Sequence, residues 1–305
     1  MQNFPKISII TPTLNQAEYL ENTIISVLSQ DYPNLEYIVI DGGSTDGSVD
    51  IINKYRDRIT YSVSEPDRGH AHAINKGLAV STGKILAFIN SDDYYLAGAF
   101  RRAAEEYVNG NFDVISGRCN IVNEKGKIMR VLQGGCHRLE DFMDFMYYAK
   151  HPITQPELFF SRSIFEKAGF FREDIYFAFD YEYWLRLAVN GASFSYPDQA
   201  FSCFRVHEKQ KTFDNDVRIN RDHVMIIQEY LNKYPWMISP DKKERIKTNI
   251  SLLVWHTDFI ELLSKKQIFA AFKKWLGYML EGLPRSLISI FRWKKILRIL
   301  RAFLK

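Results

Sequence analysis

Residues 6–100 alternate between short apolar runs and longer segments whose apolar side chains recur every three or four positions. The short runs predict buried strands, and the longer segments predict amphipathic helices. Strands that alternate with helices are typical of a parallel sheet covered by helices, so we predict an α/β fold. The predicted strands are 7–11, 35–41, 59–64 and 85–90, and the predicted helices are 18–30, 48–55 and 71–79.

Polar residues follow three of these strands at the point where each strand ends. They occupy Thr11–Asn15, Asp41–Gly47 and Asn90–Asp93. Ligands of parallel α/β sheets bind beyond the carboxyl ends of the strands, so we expect the three segments to line one site. The oxygen atoms of Asn90–Asp93 suit a divalent cation. The alternative for this segment is a polar turn in which Asp92 caps the next helix.

The segment Asp41–Gly47 (DGGSTDG) lacks the common phosphate-binding patterns. It is not G-x-G-x-x-G, and it has no P-loop lysine. An acid at the end of a strand suits hydrogen bonding to a base or a sugar. The alternative is a tight turn in which Ser44, Thr45 or Asp46 caps the next helix.

The chain between residues 98 and 150 gives weaker patterns. We predict a helix at 99–107, strands at 113–116 and 117–122, and a hairpin turn at 124–127. The aromatic segment 141–148 (DFMDFMYY) favours a core helix over a sugar-binding platform.

A helix is also predicted from the segment FDYEYWLRL at residues 179–187. Its apolar positions follow helical spacing and include Tyr181, Trp184, Leu185 and Ala188. Asp180 stands at its start, where an acid is stabilised by the helix dipole. Further amphipathic helices are predicted at 218–234 and 242–263.

Length and composition fit one large globular domain with an appendage: 305 residues, 46% hydrophobic and 25% charged. Cys119, Cys136 and Cys203 lack metal-ligand spacing, which suits a reducing compartment. The first strand is expected directly after Met1–Pro5, so we expect no secretory signal. No run approaches the roughly 20 apolar residues of a membrane-spanning helix.

The net charge of +4 is distributed unevenly along the chain. Residues 264–305 contain eleven Lys or Arg and one acid, Glu281, so they carry +10 and the remainder carries −6. On a helix, residues 286–305 would collect apolar side chains on one arc and basic side chains on the other. This pattern favours a helix that lies on an anionic membrane surface, with docking on a protein partner as the alternative. We expect no nucleic-acid partner.

Five motifs, in this order, resemble glycosyltransferase family 2. They are IITPTLN at 9–15, DGGSTDG at 41–47, EPDRG at 65–69, AINKG at 73–77 and NSDD at 90–93. The resemblance reaches about residue 210 and implies an inverting enzyme with the GT-A fold, of the bacterial cell-surface polysaccharide type. It implies a catalytic domain at 1–212, with a nucleotide-binding half at 1–100 and an acceptor half at 101–212. A helical extension would occupy 213–305.

The resemblance assigns roles residue by residue. A nucleotide sugar would contact Thr11, Pro12, Leu14, Asn15, Asp41, Ser44, Asp67, Arg68, Asn75, Lys76, Asn90, Ser91 and Asp92. Within this set, Asp41 would bind the edge of a uracil-like base. Asn90 stands where the family's metal motif has its first Asp, so the charged ligand would be Asp92.

Further roles concern the metal, the base and the acceptor. Mn²⁺ or Mg²⁺ would be held by Asp92, with Asp93 and His207 as additional candidates. Asp180 would be the catalytic base, although Phe179 replaces the Glu that usually precedes it. The acceptor side would include His151, Gln155 and Glu182, and His151 and His207 could instead be structural.

The resemblance implies sugar transfer from a nucleoside diphosphate sugar, with UDP favoured, to a hydroxyl of a glycan or polyprenyl-linked acceptor. The process would be surface polysaccharide or lipopolysaccharide synthesis, at the inner face of the cell membrane. One alternative is a nucleotidyltransferase, which would favour a basic glycine-rich loop where Thr11–Asn15 has no basic residue. The other alternative is a non-catalytic protein that binds a sugar nucleotide or a glycan. It stays open because Asn90 replaces the first Asp of the family's metal motif.

Overall fold

The computed structural model describes residues 4–144, 153–211 and 216–265, and the single residues 267, 270 and 274. His151, the end of the aromatic segment 141–148 and the predicted basic helix 286–305 lie outside the described residues. The chain forms two compact units, Met1–Gln210 and Lys211–Lys305. The domain boundary expected at residue 212 stays a prediction.

The described residues form two sheets. The strands are β1 (Ile7–Thr13), β2 (Leu35–Asp41), β3 (Tyr61–Ser64), β4 (Ile85–Phe88), β5 (Tyr94–Tyr95), β6 (Val114–Ser116), β7 (Arg118–Asn123), β8 (Ile128–Gln133), β9 (Leu158–Ser161), β10 (Phe194–Ser195) and β11 (Ala200–Val206). The larger sheet has the order β10-β6-β9-β4-β1-β2-β3, and the smaller has the order β5-β11-β7-β8.

The larger sheet is mostly parallel. Strands β4, β1, β2 and β3 run parallel to one another, and β9 is antiparallel to β4 and β6. The α/β class predicted from the sequence is confirmed. The strand predicted at 85–90 ends earlier, at Phe88, because Asp93 N donates to Asn90 O at 3.1 Å and closes a turn.

The helices predicted between residues 18 and 263 are present, with shifts of a few residues at their ends, and Arg162–Ala168 forms a further helix that was not predicted. They are α1 (Ala17–Leu28), α2 (Ser48–Lys54), α3 (His70–Val80), α4 (Ala99–Gly110), α5 (Leu139–Met143), α6 (Arg162–Ala168), α7 (Phe179–Val189), α8 (Asp216–Lys233) and α9 (Pro240–Ser264). Among these described helices, none combines the length and the apolar character that crossing a bilayer requires.

The core lies between the larger sheet and its helices. All seven residues of β1 are buried, as expected for a strand that is covered on both faces. Leu20, Ile24 and Val27 of α1 are buried at helical spacing and pack in the same cluster as Ile9 and Tyr37. This rigid centre fixes the positions of the loops that follow β1, β2 and β4.

Candidate functional site

The carboxyl ends of β4, β1 and β2 are adjacent, because these strands are neighbours in the larger sheet. Thr13 of β1 pairs with Asp41 of β2, and Ile10 of β1 pairs with Phe88 of β4. This register places the polar segments that follow the three strands at one edge of the sheet. A ligand of a parallel α/β sheet binds at such an edge.

Asn15 joins the loop after β1 to the loop after β2. Its backbone is in the left-handed region, with φ of 53°, a conformation that Asn tolerates. Asn15 N donates to Ser44 Oγ at 2.7 Å, and Thr45 N donates to Asn15 Oδ1 at 2.8 Å. The two loops are therefore held in one relative position before any ligand binds.

Asp41 shapes the loop that follows it. Its carboxylate accepts from Gly43 N at 3.1 Å, from Ser44 N at 2.9 Å, and from the Ser44 and Ser64 hydroxyls at 2.5 Å. The residue is fully buried. A ligand base would have to share this carboxylate with the loop, so the contact between Asp41 and a base stays a prediction.

Leu14, Gly42 and Asp67 meet at the surface of the same edge. Leu14 is 51% exposed, so its apolar side chain is available for contact with a ligand at this edge. A Cβ atom on Gly42 would lie 2.6 Å from Asp67 Oδ2 and 3.4 Å from Leu14 Cδ1. Only a glycine at position 42 permits this close approach.

Three other residues expected at the nucleotide are engaged by the protein. Thr11 is fully buried and its hydroxyl lies 3.1 Å from Tyr37 Oη, so it belongs to the core rather than to a ligand surface. Pro12 is also buried within β1. Lys76 Nζ lies 2.7 Å from Glu65 Oε1, with the lysine side chain 19% exposed.

Arg68 and Asn75 both reach Glu173, in the segment that leads to α7. Arg68 donates to Glu173 Oε2 at 2.7 Å, and Asn75 Nδ2 donates to Glu173 Oε1 at 3.1 Å. Asn75 also exchanges two hydrogen bonds with the backbone of Phe171. Asn75 therefore anchors this segment to α3. Its side chain bonds to the protein, whereas the sequence predicted a contact with the nucleotide sugar.

The loop after β4 is held by α1. The Thr23 hydroxyl lies 2.9 Å from Ser91 O and 2.6 Å from Asp93 O, in position to donate to both. Ser91 is 5% exposed. Asn90 Oδ1 is buried and has no hydrogen-bond partner among the described residues, so it can accept from a ligand.

Asp93 points into the protein. It is 1% exposed, and its Oδ1 accepts from Arg205 N at 2.9 Å. Burial and the neighbouring Asp92 raise the pKa of Asp93 well above its ordinary value. The hydrogen bond from Arg205 N makes this carboxyl group a link between β11 and the loop after β4, and a direct bond from Asp93 to a metal stays a prediction.

Asp92 faces His207 of the segment after β11. His207 Nε2 lies 3.0 Å from Asp92 Oδ2. The ring of His207 packs on Tyr19, with centroids 4.6 Å apart. The guanidinium of Arg205 lies over both Tyr19 and Tyr94, and its Nε donates to Asp92 O at 2.9 Å. Aromatic packing and hydrogen bonds thus fix both members of the Asp92–His207 pair.

The 3.0 Å spacing of this pair is that of a hydrogen bond, and it also suits two ligands of one divalent cation. Two atoms that bind an ion at about 2.1 Å and at right angles lie about 3.0 Å apart. An imidazole nitrogen and a carboxylate oxygen are suitable donors for Mn²⁺ and Mg²⁺. Within the described residues, no group of three or more His, Cys, Asp or Glu side chains is placed to hold a metal. The oxygen atoms of a bound ligand would therefore have to complete the coordination.

Asp180 is the second residue of α7 and is half-buried. Its Oδ1 accepts from Tyr181 N at 2.8 Å, which is a local contact at the start of the helix. The preceding residue, Phe179, packs edge-to-face on His70 at the start of α3, with centroids 5.2 Å apart. The start of α7 therefore lies beside the helix that follows the nucleotide-side loops, and the role of Asp180 as base stays a prediction.

Two residues expected on the acceptor side belong to the protein interior. Gln155 is 7% exposed and its Nε2 donates to Phe88 O at 2.7 Å. Glu182 is 2% exposed and forms an ion pair with Arg186 at 2.8 Å. Neither side chain presents its polar group to solvent, so an acceptor contact by Gln155 or Glu182 stays a prediction.

The sequence interpretation did not identify Tyr19 and Thr23 as contributors to the site. They lie four positions apart on α1 and therefore on one face of that helix. A polar face on an otherwise buried helix was the available signal, but helical spacing alone does not reveal which loop such a face contacts.

Comparison with known proteins gives a consistent picture. The family model described as "Glycosyl transferase family 2" matches residues 8–169. An uncharacterized glycosyltransferase of Haemophilus influenzae is 24% identical over 100% of this chain and 98% of its own length. The putative teichuronic acid biosynthesis glycosyltransferase TuaG of Bacillus subtilis is 42% identical, over 29% of this chain and 36% of its own length.

Solved structures are similar at the level of the fold. The mannosyltransferase PcManGT of Pyrobaculum calidifontis, in complex with GDP-Man and Mn²⁺, has a TM-score of 0.64 and 21% identity, covering 99% of this chain and 86% of that one. TarS 1–349 of S. aureus, in complex with UDP-GlcNAc, has a TM-score of 0.58 and 21% identity, covering 74% and 67%. These likenesses confirm the GT-A fold class predicted from the sequence.

Proposed function

The chain belongs to glycosyltransferase family 2, and from this premise we propose that it transfers a sugar from a nucleoside diphosphate sugar to a hydroxyl of a glycan or lipid-linked acceptor, with inversion. The observation that carries the proposal is the Asp92–His207 pair at the carboxyl end of the sheet. It stands at the same edge as the exposed Leu14 and the loop after β2. Together these features offer a place for a base, a diphosphate and a cation.

We favour UDP as the nucleotide. Leu14 and Asp67, which lie on either side of Gly42, would contact the base and ribose. The hydrogen bond between Asn15 and Ser44 holds the loops after β1 and β2 in place. The relative that binds UDP-GlcNAc supports uridine, whereas PcManGT binds GDP-Man, so a comparison of both nucleotides belongs in the test.

Asp92 and His207 would hold Mn²⁺ or Mg²⁺. Such a cation, when bound, offsets the negative charge of a departing diphosphate. The chain's own contribution is to orient these two donors: Arg205 fixes the backbone of Asp92, and Tyr19 fixes the ring of His207. The buried oxygen of Asn90 would accept a hydrogen bond from a ribose or sugar hydroxyl.

Asp180 would remove the proton from the acceptor hydroxyl. The acceptor oxygen forms a bond to the anomeric carbon while the bond from that carbon to the diphosphate oxygen breaks on the opposite face. The proton goes to Asp180 and the nucleoside diphosphate leaves. One displacement inverts the anomeric configuration, so a single base is sufficient and no second carboxylate is required as nucleophile.

For the acceptor, we propose a lipid-linked glycan of surface polysaccharide or lipopolysaccharide synthesis, at the inner face of the cell membrane. The similarity to TuaG, whose name refers to teichuronic acid biosynthesis, supports the class of acceptor. The basic residues within 264–305 support an anionic membrane surface as the place of reaction.

The test is release of nucleoside diphosphate from a panel of UDP- and GDP-sugars in the presence of Mn²⁺, with and without lipid-linked acceptors. Acceptor-dependent release, together with an inverted anomeric configuration in the NMR spectrum of the product, would support the proposal. Binding without release would instead identify a sugar-nucleotide-binding protein. In a parallel assay with added pyrophosphate, conversion of the nucleoside diphosphate sugar into nucleoside triphosphate and sugar 1-phosphate would identify a nucleotidyltransferase.

A further inference from the structure

The smaller sheet ends in a protruding hairpin, formed by β7 and β8 and the turn 124–127. The turn is well defined, because Asn123 Oδ1 accepts from Lys125 N at 3.1 Å and from Lys127 N at 2.9 Å. Gly126 has φ of 75°, which the turn requires. Within the described residues, β8 has a strand on one side only, so it is the edge of its sheet.

Strand β8 exposes three apolar side chains. Ile128 is 53% exposed, Met129 is 53% exposed and Val131 is 49% exposed. A bulge interrupts the alternation of side chains along β8. Val122 pairs with Ile128 and Asn120 pairs with Val131, so Ile128 and Val131 lie on one face of the sheet, and Met129 lies at the bulge. Charge on an exposed edge strand discourages pairing with another strand, and a cluster of three exposed apolar side chains indicates a surface that is covered in use.

The same hairpin is cationic. Lys125, Lys127 and Arg130 are exposed and lie within six residues of one another, and Glu124 is the one acid of the turn. Cations interspersed with exposed aliphatic side chains suit a binding surface whose outer layer is anionic and whose inner layer is apolar.

We propose that the β7–β8 hairpin binds the surface of an anionic lipid bilayer. The exposed aliphatic side chains and the cations of the hairpin match the apolar and the anionic parts of the interfacial layer of such a bilayer, whereas a protein partner would need one patch that combines both. Pairing of β8 with a second copy would bring Lys127 and Arg130 close to the same cations of that copy, which is unfavourable. In the hydrated headgroup layer the outer backbone groups of β8 can bond to water and phosphate, so the edge is not left without partners.

Docking of the hairpin would place the Asp92–His207 pair near the lipid surface. Strand β7 pairs along its length with β11, which carries Arg205, and Arg205 Nη1 lies 3.5 Å from Glu124 O in the turn. The inference does not depend on sugar transfer, because it rests on the exposure and charge of the hairpin alone. It is also independent of the membrane contact expected for residues 286–305.

The contact can be tested with a fluorescent label in the full-length protein. Cys119, Cys136 and Cys203 are buried, so a cysteine introduced by Ile128→Cys can be labelled selectively with an environment-sensitive dye. Val108→Cys, on α4, provides a matched control because Val108 is 51% exposed. Adding phosphatidylglycerol vesicles should shift the emission of the label at position 128 to shorter wavelength, and brominated lipids should quench it, with no change at position 108.

Equal responses at the two positions would overturn the proposal, even if the protein sediments with the vesicles. A shift at position 128 without vesicles, together with a doubled molecular mass, would also overturn it by identifying a second copy as the occupant. For the charge requirement, Lys127→Glu/Arg130→Glu should weaken vesicle binding roughly tenfold or more. Lys84→Glu/Lys167→Glu makes the same change in net charge at exposed positions elsewhere and should leave binding within about twofold. Equal losses in the two double variants would contradict a specific role for the hairpin.

Discussion

His207 Nε2 lies 3.0 Å from Asp92 Oδ2, although the two residues are 115 positions apart in the chain. The contact joins the end of β11 in the smaller sheet to the loop after β4 in the larger one. Neither residue reaches this position alone: Thr23 holds the loop through two backbone oxygens, and Tyr19 packs on the imidazole. The pair is where we propose that a divalent cation binds.

Asp92→Ala and His207→Ala should each weaken Mn²⁺ binding, because each removes one donor from a two-donor site. We expect roughly a tenfold or larger loss of affinity in each case. Calorimetric titration of UDP into protein with Mn²⁺, and again with EDTA, measures the metal-dependent part of binding. Asp50→Asn, which changes an exposed acid on α2, is the control and should bind as the wild type does. Wild-type affinity in Asp92→Ala would contradict the assignment.

Gly42→Ala should weaken binding of the nucleotide without unfolding the protein. The new methyl group would be 2.6 Å from Asp67 Oδ2 and must displace that side chain. We expect a loss of roughly tenfold in UDP affinity, since one misplaced contact of this kind costs about 1–2 kcal/mol.

A double-mutant cycle shows whether Asp67 transmits this effect. In Asp67→Ala the clash is absent, so adding Gly42→Ala should change the UDP affinity little. Additive losses in the double variant would show that Gly42 acts through some other contact.

Glu36→Ala should destabilise the protein by about 2–3 kcal/mol, because it leaves several donors without their charged acceptor. Glu36 is buried, and it accepts from the Ser8 hydroxyl at 2.5 Å and from Thr82 N and Oγ1 at 2.7 and 2.6 Å. Lys6→Ala is a milder control, because the ammonium of Lys6 lies 3.7 Å from Glu36 Oε1 and the lysine side chain is 42% exposed. Urea unfolding measures both variants.

The same carboxylate predicts a loss of stability in acid. Burial alone would raise the pKa of Glu36, but the hydrogen bonds from Ser8 and Thr82 hold that pKa below the ordinary 4.5. A lowered pKa in the folded state contributes stability that is complete above pH 4.5 and is lost as the pH falls through the folded value. The free energy of unfolding of wild type should therefore fall below pH 4.5 more steeply than that of Glu36→Ala. Parallel curves would contradict this role.

Glu157→Gln should gain stability relative to wild type as the pH rises. Glu157 is fully buried, and burial raises its pKa well above 4.5 although Thr154 N donates to Oε1 at 2.7 Å. Above pH 4.5 the unfolded chain releases this proton while the folded protein keeps it, so wild-type stability declines until the folded pKa is reached. Urea unfolding at pH 5 and pH 8 should show the difference between variant and wild type growing with pH. A constant difference would mean that Glu157 titrates normally.

The sequence predicted the parallel sheet, because apolar runs are local features of the chain. It also predicted that three polar segments meet, because the carboxyl ends of parallel strands lie at one edge of the sheet. It did not predict which atoms of those segments face outward. Thr11 is turned into the core by its contact with Tyr37, and Asp93 by its contact with the backbone of Arg205. Such contacts join residues far apart in the chain, and spacing along the chain carries no information about them.

Matching residues to family motifs likewise does not predict which protein groups their side chains contact. Asn75 fits its motif and yet bonds to Phe171 and Glu173. Glu182 lies near the expected base but is paired with Arg186. In both cases the nearest protein group takes the hydrogen bonds that a ligand was expected to make. The packing of Tyr19 on His207 was likewise not predictable, since helical spacing gives the face of α1 but not the residue that the face meets.

The most direct test of the central claim is the transfer rate of Asp180→Asn, measured with Mn²⁺, nucleotide sugar and acceptor. The amide cannot take the acceptor proton, so transfer should fall by roughly 10²–10⁴-fold while UDP affinity stays within about twofold of wild type. Asp174→Asn, which changes an exposed acid shortly before α7, should transfer at the wild-type rate. Full transfer by Asp180→Asn would contradict the account, because the proposed reaction would then lack its base.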